Sequence, residues 1–318
     1  MNVVVTGGAG FIGSHIAEAC CQRGFRVSVI DNLSSGKEEN LNWKGSDHKL
    51  EFYRANINDS DLVARIMEGA DWVFHQAAMP SVPRSINEPV TSNDDNLTGT
   101  IKLLDQAAKS KVKRFLFASS SAIYGDQPVE IKSESLPPLP LTPYGLQKYA
   151  SEKYGQMWFD FHKLPTVGLR YFNVFGPRQA FDSPYSGVIA KFCTIVLEGG
   201  QPKVFGDGLQ TRDFTYIDNI VAANIAAAEA PENQVAGKYF NVATGSSISL
   251  LDLIKELGEI KGQSITPEFF PVREGDIKSS KADISRAIEA FKLSIKVNWK
   301  DGLKKTYQWY NDAALKPD

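Results

Sequence analysis

Short apolar, β-branched runs recur through the first half of the chain, at residues 3–6, 27–30, 52–55, 72–75, 115–118 and 166–170. Between them apolar residues return at helical spacing, over 12–23, where Gly24 ends the run, and over about 98–110. Strands that read as unbroken apolar runs are covered on both faces, and their alternation with helices predicts an α/β fold: a parallel sheet wound with helices on either side. Past Gly176-Pro177 the pattern changes. Helical stretches at 189–197 and 250–257 are separated by short extended runs, the stretch 218–229 is Ala-rich and helical, and 239–243 reads as one more strand. The expected organisation is a doubly wound parallel-sheet domain over 1–174 plus about 214–246. A second, smaller α/β domain is expected over about 175–213 plus 247–318.

With 318 residues, 42% of them hydrophobic and 23% charged, the chain can bury a large core. The 35 Lys and Arg against 37 Asp and Glu leave no positive field for nucleic acid or an anionic membrane, so any phosphate-binding charge is local. Cys20, Cys21 and Cys193 have no Cys-x-x-Cys spacing and read as reduced thiols; no metal site is expected. No stretch reaches the roughly 20 apolar residues of a spanning helix, and no leader is legible, so a cytoplasmic location is the default expectation.

The first strand runs directly into Gly7-Gly8-Ala9-Gly10-Phe11-Ile12-Gly13 and then a helix. In that context Gly7 permits a tight turn, Gly10 lets backbone approach a pyrophosphate, and Gly13 lets the helix pack closely; the helix N-terminus offers unpaired N–H donors. The second strand ends at Asp31-Asn32, where a carboxylate accepts from ribose hydroxyls and repels a 2′-phosphate, favouring NAD over NADP unless Asp31 is a plain loop residue.

Thr142-Pro143 reads as an N-cap and first helical residue, which puts Tyr144 and Lys148 on one helix face. A phenol is a poor base at neutral pH, but an ammonium and a helix N-terminus beside it favour the phenolate. The alternative is an ordinary surface helix. The strand at 115–118 ends in Ser119-Ser120-Ser121, at the sheet edge where doubly wound folds hold ligands.

The glycine fingerprint, the serine run and Tyr144/Lys148, in that order, resemble the extended short-chain dehydrogenase/reductase superfamily with its Rossmann domain. The stretches Leu169-Arg170-Tyr171-Phe172-Asn173-Val174-Phe175-Gly176-Pro177, Gly206-Asp207-Gly208 and Thr211-Arg212-Asp213-Phe214 resemble its UDP-hexose 4-epimerase branch. That resemblance implies NAD-dependent 4-epimerisation of a UDP-sugar through a 4-keto intermediate, with a homodimer built on two helices from each subunit. It implies Ser120 as catalytic serine, with Ser121 the alternative, Tyr144 as acid/base and Lys148 as its electrostatic partner. The cofactor would lie against Gly7, Gly10, Phe11, Ile12, Gly13, Asp31, Asn32, Asn56, Ile57, Gln76, Ala77, Ala78, Ser119 and Tyr171, with His75 a wall or structural residue and Asn96 holding the active-site helix. The substrate would meet Ser81, Ser121, Asn173 and Val188, with Phe205 near the uracil, Arg212 and Arg273 on the phosphates, Asp276 on the ribose and Ser280 beside the sugar's 2-substituent.

Two residues depart from the family pattern. Asn56 replaces an acidic acceptor for the adenine amino group, and its amide oxygen can still accept. Ser280 replaces a bulky aromatic of glucose-restricted relatives, and with Ser81-Val82-Pro83-Arg84-Ser85 it implies that UDP-N-acetylhexosamines are accepted. A sugar 4,6-dehydratase or uronate decarboxylase would begin with the same oxidation but needs further acid/base chemistry, and a dehydratase is disfavoured because Ser121-Ala122 stand where an Asp-Glu pair is needed. A uronate epimerase stays open, since Arg84 could meet a carboxylate, and a non-catalytic NAD-binding regulator is the remote alternative.

Overall fold

The computed structural model describes residues 1–43, 49–181, 187–272 and 278–314, so Arg273 and Asp276 lie outside the described residues. Seven parallel strands form one sheet: β1 (Asn2–Thr6), β2 (Arg26–Asp31), β3 (Leu50–Arg54), β4 (Trp72–His75), β5 (Arg114–Ser120), β6 (Thr166–Tyr171) and β7 (Lys238–Val242). Their order across the sheet is β7-β6-β5-β4-β1-β2-β3. The chain therefore winds outward from β1 to β3, returns to place β4 against β1, and winds the other way. The crevice between β1 and β4 is the switch point at which such sheets bind ligands.

The strand period of two decides which helices cover which face. Val3 and Val5 pack with Ile16, Ala17 and Cys20 of the helix Phe11–Gln22 and with Ile220 and Ala223 of Ile217–Glu229. Val4 points the other way, into a cluster with Val63, Leu103, Leu104 and Phe117, under the helices Ser60–Met67, Gly99–Lys109 and Pro143–His162. β4 and β6 are buried at every position, which is why apolar residues dominate both, and their polar members Thr166, Arg170 and His75 are buried too. Cys20, Cys21 and Cys193 are buried and unbridged.

After β6 the chain builds a second assembly from very short strands. A four-stranded sheet joins Ile248–Ser249, Thr211–Arg212, Ser279–Ala282 and Ile131–Lys132 in that order. Ile131–Lys132 comes from between β5 and β6, so this sheet draws on sequence inside the expected first domain. The helix expected over about 98–110 spans Gly99–Lys109 and continues a π-turn over Asp94–Thr98, itself preceded by Pro89–Asn93. A final helix, Trp299–Ala314, was not legible in the sequence. Among the described residues no helix is long and apolar enough to cross a membrane.

Candidate active site

A cleft of about 1280 Å³ runs along the carboxyl ends of β1, β2, β4, β5 and β6 and reaches the second sheet. It exceeds the usual 300–1,000 Å³ of a single small-ligand pocket, leaving room for two nucleotide-sized molecules. Gly7, Gly10, Phe11, Ile12, Gly13, Asp31, Asn32, Asn56, Ile57, Gln76, Ala77, Ala78, Ser81, Ser119, Ser120, Ser121, Tyr144, Lys148, Tyr171, Asn173, Arg212 and Ser280 all line it.

At the floor, Gly7 has φ +68° and a Cβ there would stand 2.5 Å from the Ala77 nitrogen, while a Cβ on Gly13 would stand 2.1 Å from the Gly7 oxygen. Any side chain at either position would break the turn that seats the helix. Gly10 is the N-cap of Phe11–Gln22, and no side chain caps that end. Its first-turn amides are thus left to face the cleft, a seat for a phosphate. Asp31 fixes the loop, accepting from the Ala9 N–H at 3.0 Å and the Leu33 N–H at 2.8 Å; a carboxylate has further lone pairs for ribose hydroxyls. The Asn56 oxygen already accepts from the Asn58 N–H at 2.9 Å, which leaves it one lone pair. The Gln76 side chain accepts from the Tyr171 hydroxyl at 3.3 Å, but its Nε2 is buried with no hydrogen-bond partner. A glycine cradle closed to any Cβ, uncapped helix amides and an orphaned buried donor on the same wall fit a dinucleotide.

His75 stands behind this wall. Thr100 spends its proton on the Asn96 carbonyl at 2.7 Å, so it accepts from His75 Nε2–H at 2.9 Å, and His75 Nδ1 accepts from the Thr6 hydroxyl at 2.7 Å. Burial, with the Lys148 charge second, lowers the imidazole to about 3. The ring is a neutral strut between β1, β4 and the helix Gly99–Lys109.

At the ends of β5 and its neighbours the reactive groups converge. Thr142 caps the helix Pro143–His162 by accepting from the Gly145 N–H at 3.2 Å, with Pro143 in the first turn. One turn apart, the Tyr144 ring and Lys148 Nζ lie 5.8 Å from each other, centroid to atom. Ser120, whose Oγ accepts from the Ala122 N–H at 3.1 Å, lies near enough to the Tyr144 phenol to favour its phenolate. Lys148 is buried and donates to the Ala118 carbonyl at 3.0 Å. Burial draws its ammonium down to about 8, and burial raises the phenol despite the nearby Ser120. The sequence pair predicted a phenol eased toward phenolate; in the protein alone desolvation outweighs the help from Ser120.

Three expected contacts take other positions, while Asn96, off the cleft wall, bonds Gln147 of the helix that bears Tyr144. The Ser119 hydroxyl turns into the core, donating to Glu152 at 2.6 Å, so its backbone is what remains for the cleft. Asn96 is fully buried and off the cleft wall: it donates to Met79 O and Gln147 Oε1 and accepts from the Met79 N–H. Val188 and Phe205 are not among the described residues that wall the cleft. Val188 opens the helix Val188–Leu197 one residue beyond the lining Gly187, and the Phe205 ring packs on Phe270, 5.4 Å between centroids, across the paired strands Lys203–Phe205 and Glu268–Phe270. In the second sheet Arg212 and Ser280 are register partners on adjacent strands, which sets the arginine beside the small residue.

The sequence reading missed Gln147, Lys132, Arg178 and Trp309. Gln147, on the buried side of the helix bearing Tyr144, accepts from Ser92 at 2.9 Å and from Asn96 at 2.8 Å, tying that helix to the π-turn segment. Lys132, Arg178 and Trp309 line the cleft from three separate elements, and no local spacing marks them.

The chain resembles solved structures over nearly its whole length. A UDP-N-acetylglucosamine 4-epimerase from Methanobrevibacter ruminantium M1, in complex with UDP-N-acetylmuramic acid, superposes with TM-score 0.93 at 40% identity, 98% of each chain being covered. A UDP-glucose 4-epimerase from Thermotoga maritima with UDP-glucose gives 0.92 at 39% identity, covering 99% of this chain and 100% of that one. The UDP-glucuronic acid 4-epimerase of Bacillus cereus, in complex with UDP-glucuronic acid and NAD, gives 0.90 at 33% identity, covering 98% of this chain and 100% of that one. The family described as NAD dependent epimerase/dehydratase matches residues 3–243. A glycine cradle for a dinucleotide, a Ser-Tyr-Lys cluster above it and likeness over the full length converge: this chain belongs to the NAD-dependent epimerase/dehydratase family, of the extended short-chain dehydrogenase/reductase type.

Proposed function

We propose that the chain is a UDP-hexose 4-epimerase that acts on UDP-glucose and UDP-galactose and also on UDP-N-acetylglucosamine and UDP-N-acetylgalactosamine. The observation that carries this reading is the Tyr144 phenol, with Ser120 and buried Lys148 beside it, in one continuous cleft with the glycine turn. Held there, NAD would supply a hydride acceptor and donor for the hexose C4. Tyr144 takes the 4-hydroxyl proton and later returns it, Ser120 holds O4, and Lys148 stabilises the phenolate. Gly7, Gly10, Phe11, Ile12 and Gly13 seat the cofactor's diphosphate, Asp31 and Asn32 its ribose, Asn56 and Ile57 its adenine, and Gln76, Ala77, Ala78 and Tyr171 its inner wall.

Inversion needs a firm hold on UDP and a loose one on the hexose, so that the keto sugar presents either face. Arg212, with Arg273, suits the first through forked donors, and Asp276 and Asn173 serve the nucleotide and diphosphate. The small residues Ser81 and Ser280 suit the second. We assign residues 1–174 plus about 214–246 to cofactor binding and the remainder to the nucleotide sugar. A homodimer is proposed across the helices Gly99–Lys109 and Pro143–His162, the second of which leaves Leu146, Met157 and Phe161 exposed.

The test is a panel of UDP-sugars incubated without added NAD, products resolved by NMR. Interconversion of the two C4 pairs is expected, with no net loss of water or carbon dioxide; release of either product, or inertness toward every hexose, refutes the assignment. In the same panel Ser280→Tyr should cut kcat/KM for UDP-N-acetylglucosamine relative to UDP-glucose by at least about tenfold, a steric effect. An unchanged preference would remove the pocket argument.

A further inference from the structure

Sugar acids and neutral hexoses differ at C5 by one carboxylate, and the family fold serves both, so discrimination must come from particular side chains. The wall beside Tyr144 is the place to look. The helix Val82–Asn87 abuts the first turn of the helix that carries Tyr144, where the Tyr144 N–H donates to Ser85 Oγ at 3.2 Å. Arg84, the neighbour of Ser85, lines the cleft, as do Glu88 and Asp95. Arg84 presents the forked donor set that a uronate carboxylate would take bidentately. Glu88 already occupies that fork: Arg84 Nε donates to Oε1 at 3.0 Å and Nη2 to Oε2 at 3.1 Å. Glu88 stands at the N-cap of Pro89–Asn93 yet bonds none of its first-turn amides, so its carboxylate is spent on Arg84. With Asp95 on the same wall, one positive charge faces two acidic side chains.

We infer that Glu88 is a specificity-determining residue: by occupying the Arg84 guanidinium it competes with a C5 carboxylate and biases the cleft toward nucleotide sugars that are neutral at that carbon. The inference rests on the 4-epimerase reading above. Both side chains are exposed, 41% for Arg84 and 46% for Glu88, so the pair adds little to stability and its removal leaves the fold intact.

Three proteins test it: wild type, Glu88→Ala and the double variant Arg84→Gln/Glu88→Ala. Each is assayed with UDP-glucose and with UDP-glucuronate, and UDP-glucuronate is titrated as an inhibitor of UDP-glucose epimerisation. Removing Glu88 should raise the UDP-glucuronate to UDP-glucose ratio of kcat/KM up to about fivefold, the full worth of an exposed ion pair, and lower the UDP-glucuronate inhibition constant in parallel. The double variant should lose both gains, because the gain is Arg84's. An unchanged ratio and inhibition constant in Glu88→Ala, or gains that persist in the double variant, overturn the inference while leaving the epimerase reading intact. Wild-type turnover of UDP-glucuronate at a rate matching UDP-glucose also overturns it. Absence of hexose turnover in all three proteins removes the epimerase reading and the inference together. Should Glu88→Ala prove insoluble, Glu88→Gln, which keeps the shape and drops the charge, is read by the same criteria.

Discussion

Replacing Tyr144 by Phe is expected to lower kcat for C4 epimerisation by about 10²–10⁴-fold, the usual contribution of a positioned acid/base, with the affinity for UDP nearly unchanged. One oxygen is removed and the ring stays in its half-buried seat. Ser120 keeps its bond from the Ala122 N–H, and Lys148 keeps its anchor on the Ala118 carbonyl, so the surrounding geometry survives the change. The loss should therefore appear in kcat and not in KM. The pH profile of the wild type carries the same chemistry. Burial raises the phenol, so kcat/KM rises with pH as phenolate becomes available. Burial also lowers Lys148 to about 8, below the phenol, so the rise should level off above about pH 8, where each further gain in phenolate is offset by loss of the ammonium that supports it. Stopped assays by NMR across pH, with UDP affinity measured by calorimetry, check both statements. A Tyr144→Phe enzyme with more than about a tenth of wild-type kcat would show that the proton is taken elsewhere.

How far this was legible in the sequence follows from how local each signal is. β1, β4, β5 and β6 were readable because both faces of the sheet are covered and most of their positions are apolar or β-branched. The glycine turn was readable because its two constraints, a positive φ at Gly7 and contact at Gly13, fall within seven residues. The second sheet was not: its members Thr211–Arg212, Ile248–Ser249 and Ile131–Lys132 have two residues each, too few to show a period. The helix Trp299–Ala314 was hidden because its inward stripe uses Gly302 and Thr306 beside Leu303 and Tyr310, which breaks the apolar repeat. In the site, residue type announced Tyr144 and Lys148 but not the dehydration that raises one and lowers the other. Nor does type announce who has claimed a polar group first, as Glu152 claims Ser119, Asn58 engages Asn56 and Glu88 holds Arg84.

The support beneath the serine run yields the largest expected effect on stability. Arg170 and Glu152 have fully buried side chains. Arg170 donates through Nε at 2.8 Å and Nη2 at 2.7 Å to the two Glu152 oxygens, and through Nη1 to the Tyr124 hydroxyl at 2.8 Å. Its guanidinium also stacks on the rings of Tyr124 and Tyr239. Arg170→Met leaves the Glu152 carboxylate in the core with the Ser119 hydroxyl as its remaining donor in this cluster, and such an unpaired buried charge costs about 3–5 kcal/mol. A melt should register this as a fall of about 6–20 °C in Tm at the 2–4 °C per kcal/mol of large domains. The double variant Arg170→Met/Glu152→Met removes both charges and should recover most of that loss, because desolvating the pair had offset much of its attraction. Tyr124 keeps its bond to Asn241 at 2.7 Å in either variant, so the effect isolates the charge and not the neighbouring hydroxyl. A single variant as stable as wild type would mean that Glu152 takes up a proton at no cost, and a double variant less stable than the single would mean that the pair acts through packing. The catalytic consequence separates the same way: Ser119, bonded to Glu152, precedes Ser120 in β5, so a drop in kcat well below the melting temperature, restored in the double variant, would trace the placement of Ser120 to this charge.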